Sequence, residues 1–152
     1  MCHHPRSEET LRLGHVLAAM VCMGACAPPD PIQEIDILFP TPEDDFLFFD
    51  DEGIGSTLLV VDIDGFTLLP EGDADPSLET EGHWHLFVNG VYQRAISDGF
   101  TTLVEVRGLT EGQELSISVA LARDDHQELR DEEGNPIQST IELTAAPVTA
   151  GE

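Results

Sequence analysis

The sequence feature that most restricts the fold is a pair of short apolar segments joined by two turn-forming residues. HWHLFV (residues 83–88) and VYQRAI (91–96) flank Asn89-Gly90. A two-residue Asn-Gly connection favours a type I′ turn, because that turn needs positive φ at both central positions. The sequence therefore predicts an antiparallel β-hairpin over residues 83–96.

Other strand-like segments follow at regular spacing between turns rich in Gly, Pro and Asp. ELSISVALA (114–122) alternates most clearly, with Leu115, Ile117, Val119 and Leu121 on one face. No segment after Cys26 has the pattern of an amphipathic helix. The remaining strand candidates are EIDILF (34–39), DFLFF (45–49), STLLVVDI (56–63), FTLLP (66–70), TTLVEV (101–106) and IQSTIEL (137–143).

This succession of strands predicts an all-β fold over residues 34–146. We expect an immunoglobulin-like, Greek-key β-sandwich of about seven strands, with a Greek-key barrel as the alternative. Trp84 is expected to be buried on a central strand, and residues 147–152 are expected to be a flexible tail.

The charge balance restricts the partners. The 152 residues contain 6 Lys+Arg and 30 Asp+Glu, which gives a formal net charge of -24. Such a surface repels nucleic acid and anionic lipid headgroups, so both are poor partners. The charge suits cationic partners and divalent ions. Alternatively, its only effect is to keep the protein soluble.

The N-terminal region has the pattern of an export signal. Arg6 and Arg12 precede an apolar run at residues 16–25, which is too short to span a bilayer comfortably. The only cysteines are Cys2, Cys22 and Cys26. The chain after the signal therefore has no internal disulfide to form.

The sequence MGAC at residues 23–26 resembles the lipobox of bacterial lipoproteins. Met23 stands where leucine is usual, and Glu8 and Glu9 lie where such signals are basic. The resemblance implies a signal peptide at residues 1–25, lipidation of Cys26 and a tether at residues 26–33. Because Ala27 follows the cysteine, it also implies an outer-membrane location, facing the periplasm or at the cell surface. The lipid would be the only membrane contact.

Two histidines alternate on the first hairpin strand. Residues two apart share one face of a strand, so His83 and His85 point away from the face that holds Trp84. They are expected on the outer surface of the sheet. In an immunoglobulin-like sandwich the third strand pairs with the sixth, which brings His126 to the same corner, with Asp124 or Asp125 close by.

Three imidazoles and one carboxylate form a ligand set suited to Zn²⁺ or Cu²⁺. The predicted metal ligands are therefore His83, His85, His126 and one carboxylate, that of Asp124 or Asp125. All three methionines precede Cys26, which argues against a Cu(I) thioether site in the folded domain.

Two alternatives need no metal. In the first, the histidines form a satisfied surface cluster, with His85 facing Arg94 across the hairpin and Asp124 or Asp125 bonded to an imidazole. In the second, Phe87, Tyr92 and Arg94 form an interaction face for a ligand or an envelope protein.

Three segments resemble a group of uncharacterised bacterial exported domains. They are GHWHLFVNG, LTEGQELSISVALARDDHQEL and IQSTIEL, within residues 57–144. The resemblance implies an immunoglobulin-like fold, and no activity can be carried over from this group. Its matching positions, His83, His85, Asp125 and His126, would belong to one site.

Catalysis has little support in the sequence. There is no G-x-S-x-G nucleophile motif and no Gly-Lys-Ser/Thr phosphate loop, and the acidic clusters do not match a twelve-residue calcium loop. We therefore expect no enzymatic activity.

The sequence predicts a membrane-anchored, exported binding domain that captures a divalent transition metal. The alternative is a non-enzymatic structural or protein-interaction domain of the cell envelope.

Overall fold

The computed structural model describes residues 32–49 and 52–148, and these residues form nine β-strands without a helix. The all-β prediction is confirmed, and each predicted segment forms a strand, so the count is nine rather than seven. The strands are β1 (Glu34–Phe39), β2 (Asp45–Phe49), β3 (Ile54–Asp64), β4 (Thr67–Leu68), β5 (Glu81–Val88), β6 (Val91–Ile96), β7 (Thr101–Val106), β8 (Glu114–Ala122) and β9 (Gln138–Pro147).

The predictions for the two chain ends fall mainly outside this description. The signal peptide, Cys26 and most of the tether lie before its first residue. At the other end, β9 extends to Pro147, beyond the predicted end at residue 146, and the N–H of Val148 donates to the carbonyl of Phe48 at 2.9 Å. Within residues 32–49 and 52–148, no helix is long and apolar enough to cross a membrane.

The strands form two antiparallel sets. β3 pairs with β1 and β7, while β9, β8, β5 and β6 pair in that order. β2 joins the two sets, because it pairs antiparallel with β3 and parallel with β9. Through β2 the two sets belong to one hydrogen-bonded network of nine strands.

Both sets contribute side chains to one apolar core. β3 supplies Leu59, β7 supplies Val104, and the alternating face of β8 is fully buried as predicted. Trp84 on β5 is also fully buried, and its indole N–H donates to the carbonyl of Gly99 at 3.0 Å. Burying a Trp this completely needs such a partner for the indole nitrogen.

The β5–β6 hairpin forms with the predicted turn. Asn89 has φ of 50° and Gly90 has φ of 73°, and Phe87 pairs with Tyr92. A bulge after Leu86 then shifts the register, so that Leu86 pairs with Arg94 and His85 pairs with Ala95. The predicted pairing of His85 with Arg94 is therefore wrong, because the extra residue in β6 moves Arg94 by one position.

Candidate metal centre

Strand β5 presents His83 and His85 on the face opposite to Trp84, as its alternation requires. Both histidines are buried, with exposed fractions of 1% and 4%. Their predicted surface location is therefore wrong. Other rings cover this face: that of His126 lies 4.7 Å from the ring of His83, and that of Tyr92 lies 5.1 Å from the ring of His85.

The third histidine comes from the turn that follows β8. β5 and β8 pair antiparallel with His83 opposite Ala122, which confirms the predicted strand pairing. The chain then reverses through a tight loop, in which the N–H of His126 donates to the carbonyl of Arg123 at 2.9 Å. His126 has φ of 63°, a left-handed conformation that turns its ring back towards β5.

The three histidines present ring nitrogens to one another. His83 Nε2 lies 3.0 Å from His85 Nε2, which lies 3.3 Å from His126 Nδ1. The potential ligand atoms of all three residues lie within 4.8 Å of one another. Tetrahedral zinc with Zn–N bonds of about 2.0–2.1 Å places neighbouring nitrogens about 3.3–3.4 Å apart. The distances of 3.0 and 3.3 Å from His85 Nε2 to the other two rings are close to that geometry.

Protons alone satisfy this cluster poorly. His126 Nε2 faces a Glu71 carboxylate oxygen at 3.3 Å, so a neutral His126 carries its proton there and leaves Nδ1 bare. His85 Nε2 lies between the other two rings, so a proton on this atom can be donated to only one of them. His83 Nδ1 is a buried atom without a hydrogen-bond partner. A cation at the centre would instead accept all three lone pairs.

The electrostatic surroundings keep the β5 histidines neutral. Burial, together with the neighbouring rings of His83 and His126, lowers the pKa of His85 from 6.5 to about 4. Burial is also the main cause that lowers the pKa of His83; His126 adds to it, and Asp124 and Glu71 oppose it. Neutral imidazole is the form that binds metals, so both ligands are already deprotonated at neutral pH.

The carboxylate predicted for this site lies elsewhere. The group of converging ligand atoms does not include Asp125, whose carboxylate pairs with Arg123 at 3.2 Å and accepts the N–H of Gln127 at 3.1 Å. Asp125 stabilises the turn instead. The carboxylate that contacts a histidine belongs to Glu71 in the acidic loop before β5. No motif marks Glu71, since only the folding of that loop brings it near His126.

The predicted interaction face is only partly formed. Phe87 and Tyr92 pack edge to face with their ring centroids 5.9 Å apart, and Tyr92 is half exposed. Arg94 leaves this group because the bulge pairs it with the core residue Leu86. Its guanidinium instead donates to Thr102 Oγ1 and to the carbonyl of Leu103 on β7.

Comparisons with known proteins found few similarities. No family model matches the sequence, and no curated protein matches it. Two solved structures of the CARDB domain of PF1109 from Pyrococcus furiosus are similar at 11% identity. A solution NMR structure has a TM-score of 0.39 and covers 76% of this chain and 95% of that chain. A crystal structure in complex with di-metal ions has a TM-score of 0.37, with coverages of 81% and 99%.

Proposed function

We propose that this chain is a binding domain that captures a divalent transition metal through His83, His85 and His126. The observation that carries the proposal is the convergence of three ring nitrogens at 3.0 and 3.3 Å. Neutral imidazole nitrogens are good ligands for Zn²⁺ and Cu²⁺. The net charge of -24 further favours the approach of a cation.

The strands explain how such a site would be held ready. Two ligands lie two residues apart on β5, which pairs with β8 on one side and with β6 on the other. The third follows β8 in a turn closed by backbone hydrogen bonds. A rigid framework of this kind lowers the entropic cost of binding, because the ligands need little rearrangement.

The cellular setting of this domain is part of the same proposal. The apolar run at residues 16–25 and the MGAC sequence support export and lipidation at Cys26. We propose an immunoglobulin-like domain held by that lipid at the outer membrane, facing the periplasm or at the cell surface. Its role there would be binding rather than catalysis.

Isothermal titration of the purified full chain in detergent with Zn²⁺ and Cu²⁺ tests the proposal. The control is the His83→Ala/His126→Ala double variant, which keeps the three cysteines and the N-terminal histidines. We expect one-to-one binding of micromolar or tighter affinity that the double variant loses. Equal weak heats from both proteins would overturn the metal proposal.

The second candidate function is protein interaction through Phe87 and Tyr92. The observation that favours it is exposure at the start of β6, where Val91 is 61% exposed and Tyr92 is 48% exposed. Exposed aromatic residues are enriched where proteins bind one another. If the metal titrations fail, Tyr92→Ala tested against envelope proteins would examine this function.

A further inference from the structure

We infer that Glu71 is a positioning residue of the histidine site, because its carboxylate holds the proton of His126 on Nε2 and leaves Nδ1 free as a ligand. The consequence for metal binding rests on the proposed function. The position of the proton, however, is a property of the metal-free protein and can be measured without any metal.

The contact itself fixes the direction of the hydrogen bond. His126 Nε2 lies 3.3 Å from Glu71 Oε1. An ionised carboxylate can only accept, so the imidazole nitrogen must donate. A neutral imidazole carries one N–H, and the other nitrogen then presents its lone pair. That other nitrogen is Nδ1, the atom that faces His85 Nε2 at 3.3 Å.

A second contact holds the Glu71 loop in place. Both carboxylate oxygens of Asp124 accept the N–H of Gly72, at 2.9 and 3.2 Å. Glu71 and Gly72 are adjacent, and Asp124 and His126 belong to one turn. Two hydrogen bonds therefore join the acidic loop to the turn that carries the third ligand, which distinguishes Glu71 from an isolated surface ion pair.

The beginning of the same loop is anchored beside the first ligand. β4 pairs in parallel with the start of β5, and the N–H of Leu69 donates to the carbonyl of Gly82 at 2.8 Å. Gly82 immediately precedes His83. The loop thus connects the backbone at His83 with the ring of His126, and it can set the relative position of the two ligands.

Carboxylates that orient metal-bound histidines in this way are a recurring feature of metal sites. The partner selects the tautomer, raises the basicity of the ligand nitrogen and fixes the ring, and its loss typically weakens metal affinity about 10–100-fold. Glu71 is mostly solvent-exposed, so its replacement should leave the core intact. An effect on binding could then be assigned to His126 rather than to unfolding.

Three single variants of the full chain separate this role from a general charge effect. Glu71→Arg replaces the acceptor with a donor, which favours a bare Nε2 and a proton on Nδ1. Glu71→Gln keeps an amide oxygen that can still accept. Glu79→Arg makes the same change of charge elsewhere on the loop, at a residue that lines a surface groove.

Zinc titration and two-bond ¹H–¹⁵N spectra of the histidine rings at mildly alkaline pH provide the readouts. We expect the metal-free wild type to carry the His126 proton on Nε2. Glu71→Arg should move it to Nδ1 and weaken zinc binding about 10–100-fold relative to Glu79→Arg. Glu71→Gln should retain more of the affinity than Glu71→Arg does.

Two results would overturn the inference: a proton on Nδ1 of His126 in the metal-free wild type, or equal zinc affinities for Glu71→Arg and Glu79→Arg. The role of Glu71 and the proposed metal binding can fail independently of each other. If the wild type binds no zinc, the metal proposal fails, and the tautomer of the metal-free protein alone decides the role of Glu71.

Discussion

His126 occupies a backbone position at which a histidine is locally unfavourable. Its φ of 63° lies in the left-handed region, which glycine adopts without steric cost. Tight hairpin loops often place glycine at such a position. A side chain at such a position can have a functional reason to be there. The ring of His126 faces the two buried histidines.

Replacing His126 with glycine should separate stability from binding. We expect His126→Gly to unfold at a urea concentration similar to or above that of the wild type, because the left-handed strain of about 1 kcal/mol disappears. His126→Ala keeps that strain and should be less stable than His126→Gly. Both variants should lose zinc binding. An alanine variant more stable than the glycine variant would contradict this account of the turn.

The buried His85 should make the metal-free protein sensitive to acid. Its pKa is about 6.5 when unfolded and about 4 when folded, because burial disfavours the charged ring. Below about pH 6.5 the unfolded chain binds a proton that the folded protein excludes. Stability should therefore fall as the pH drops from about 6.5 towards 4, by roughly 3 kcal/mol at most, since each pKa unit is worth about 1.4 kcal/mol.

Urea unfolding at stepped pH in the presence of EDTA measures this loss. The matched protein is His85→Leu, which keeps an apolar side chain against Phe87 and Tyr92 but has no ring to protonate. Because the carboxylates titrate in both proteins, the difference between them reports His85. A pH dependence as steep in His85→Leu as in the wild type would rule out His85 as its source.

The start of β5 sets the spacing of the ligands through a close backbone contact at Gly82. Gly82 has φ of 149°, and a Cβ built there would lie 2.3 Å from the carbonyl oxygen of Ala122. Glycine therefore permits the close approach of β5 to the end of β8, where His83 pairs with Ala122. The spacing of the ligands depends on this backbone contact as well as on the histidines themselves.

Gly82→Ala should reduce both stability and zinc affinity. The matched control is Gly112→Ala, which also has positive φ, at 79°, but whose added Cβ meets no atom within 4 Å. In the control, the free energy of unfolding should fall only by the backbone strain of alanine at positive φ, about 1–3 kcal/mol. Gly82→Ala should lose more, because backbone atoms must move apart. Equal losses in urea unfolding would show that the contact with Ala122 is unimportant.

Some of the site follows from the sequence and some does not. Alternation along β5 predicts that His83 and His85 share a face. The expected pairing of the third strand with the sixth places the end of β8 beside them, and the β5–β8 register agrees with it. The bulge after Leu86 breaks that period and moves Arg94 away. The burial of the histidines and the contact of Glu71 with His126 depend on how the loops fold over the sheet. The alternation of residues along a strand does not predict this.

The net charge of -24 affects any test of the protein with divalent ions. Screening of mutual repulsion should stabilise the protein in any salt. A specific site also raises the free energy of unfolding, because the metal binds only the folded protein. The increase depends on the affinity of the site and is about 2.7 kcal/mol when the free metal is 100-fold above Kd. The two effects can therefore be separated by comparing ions that screen equally but bind imidazole differently.

Unfolding of the wild type and of His83→Ala/His126→Ala should be measured with Mg²⁺ and with Zn²⁺ at equal ionic strength. Mg²⁺ prefers oxygen ligands and should stabilise both proteins alike, through screening. Zn²⁺ should add a further increment only in the wild type, because the variant retains the charge but not the converging nitrogens. An equal zinc increment in both proteins would locate the binding on the acidic surface instead of at the histidines.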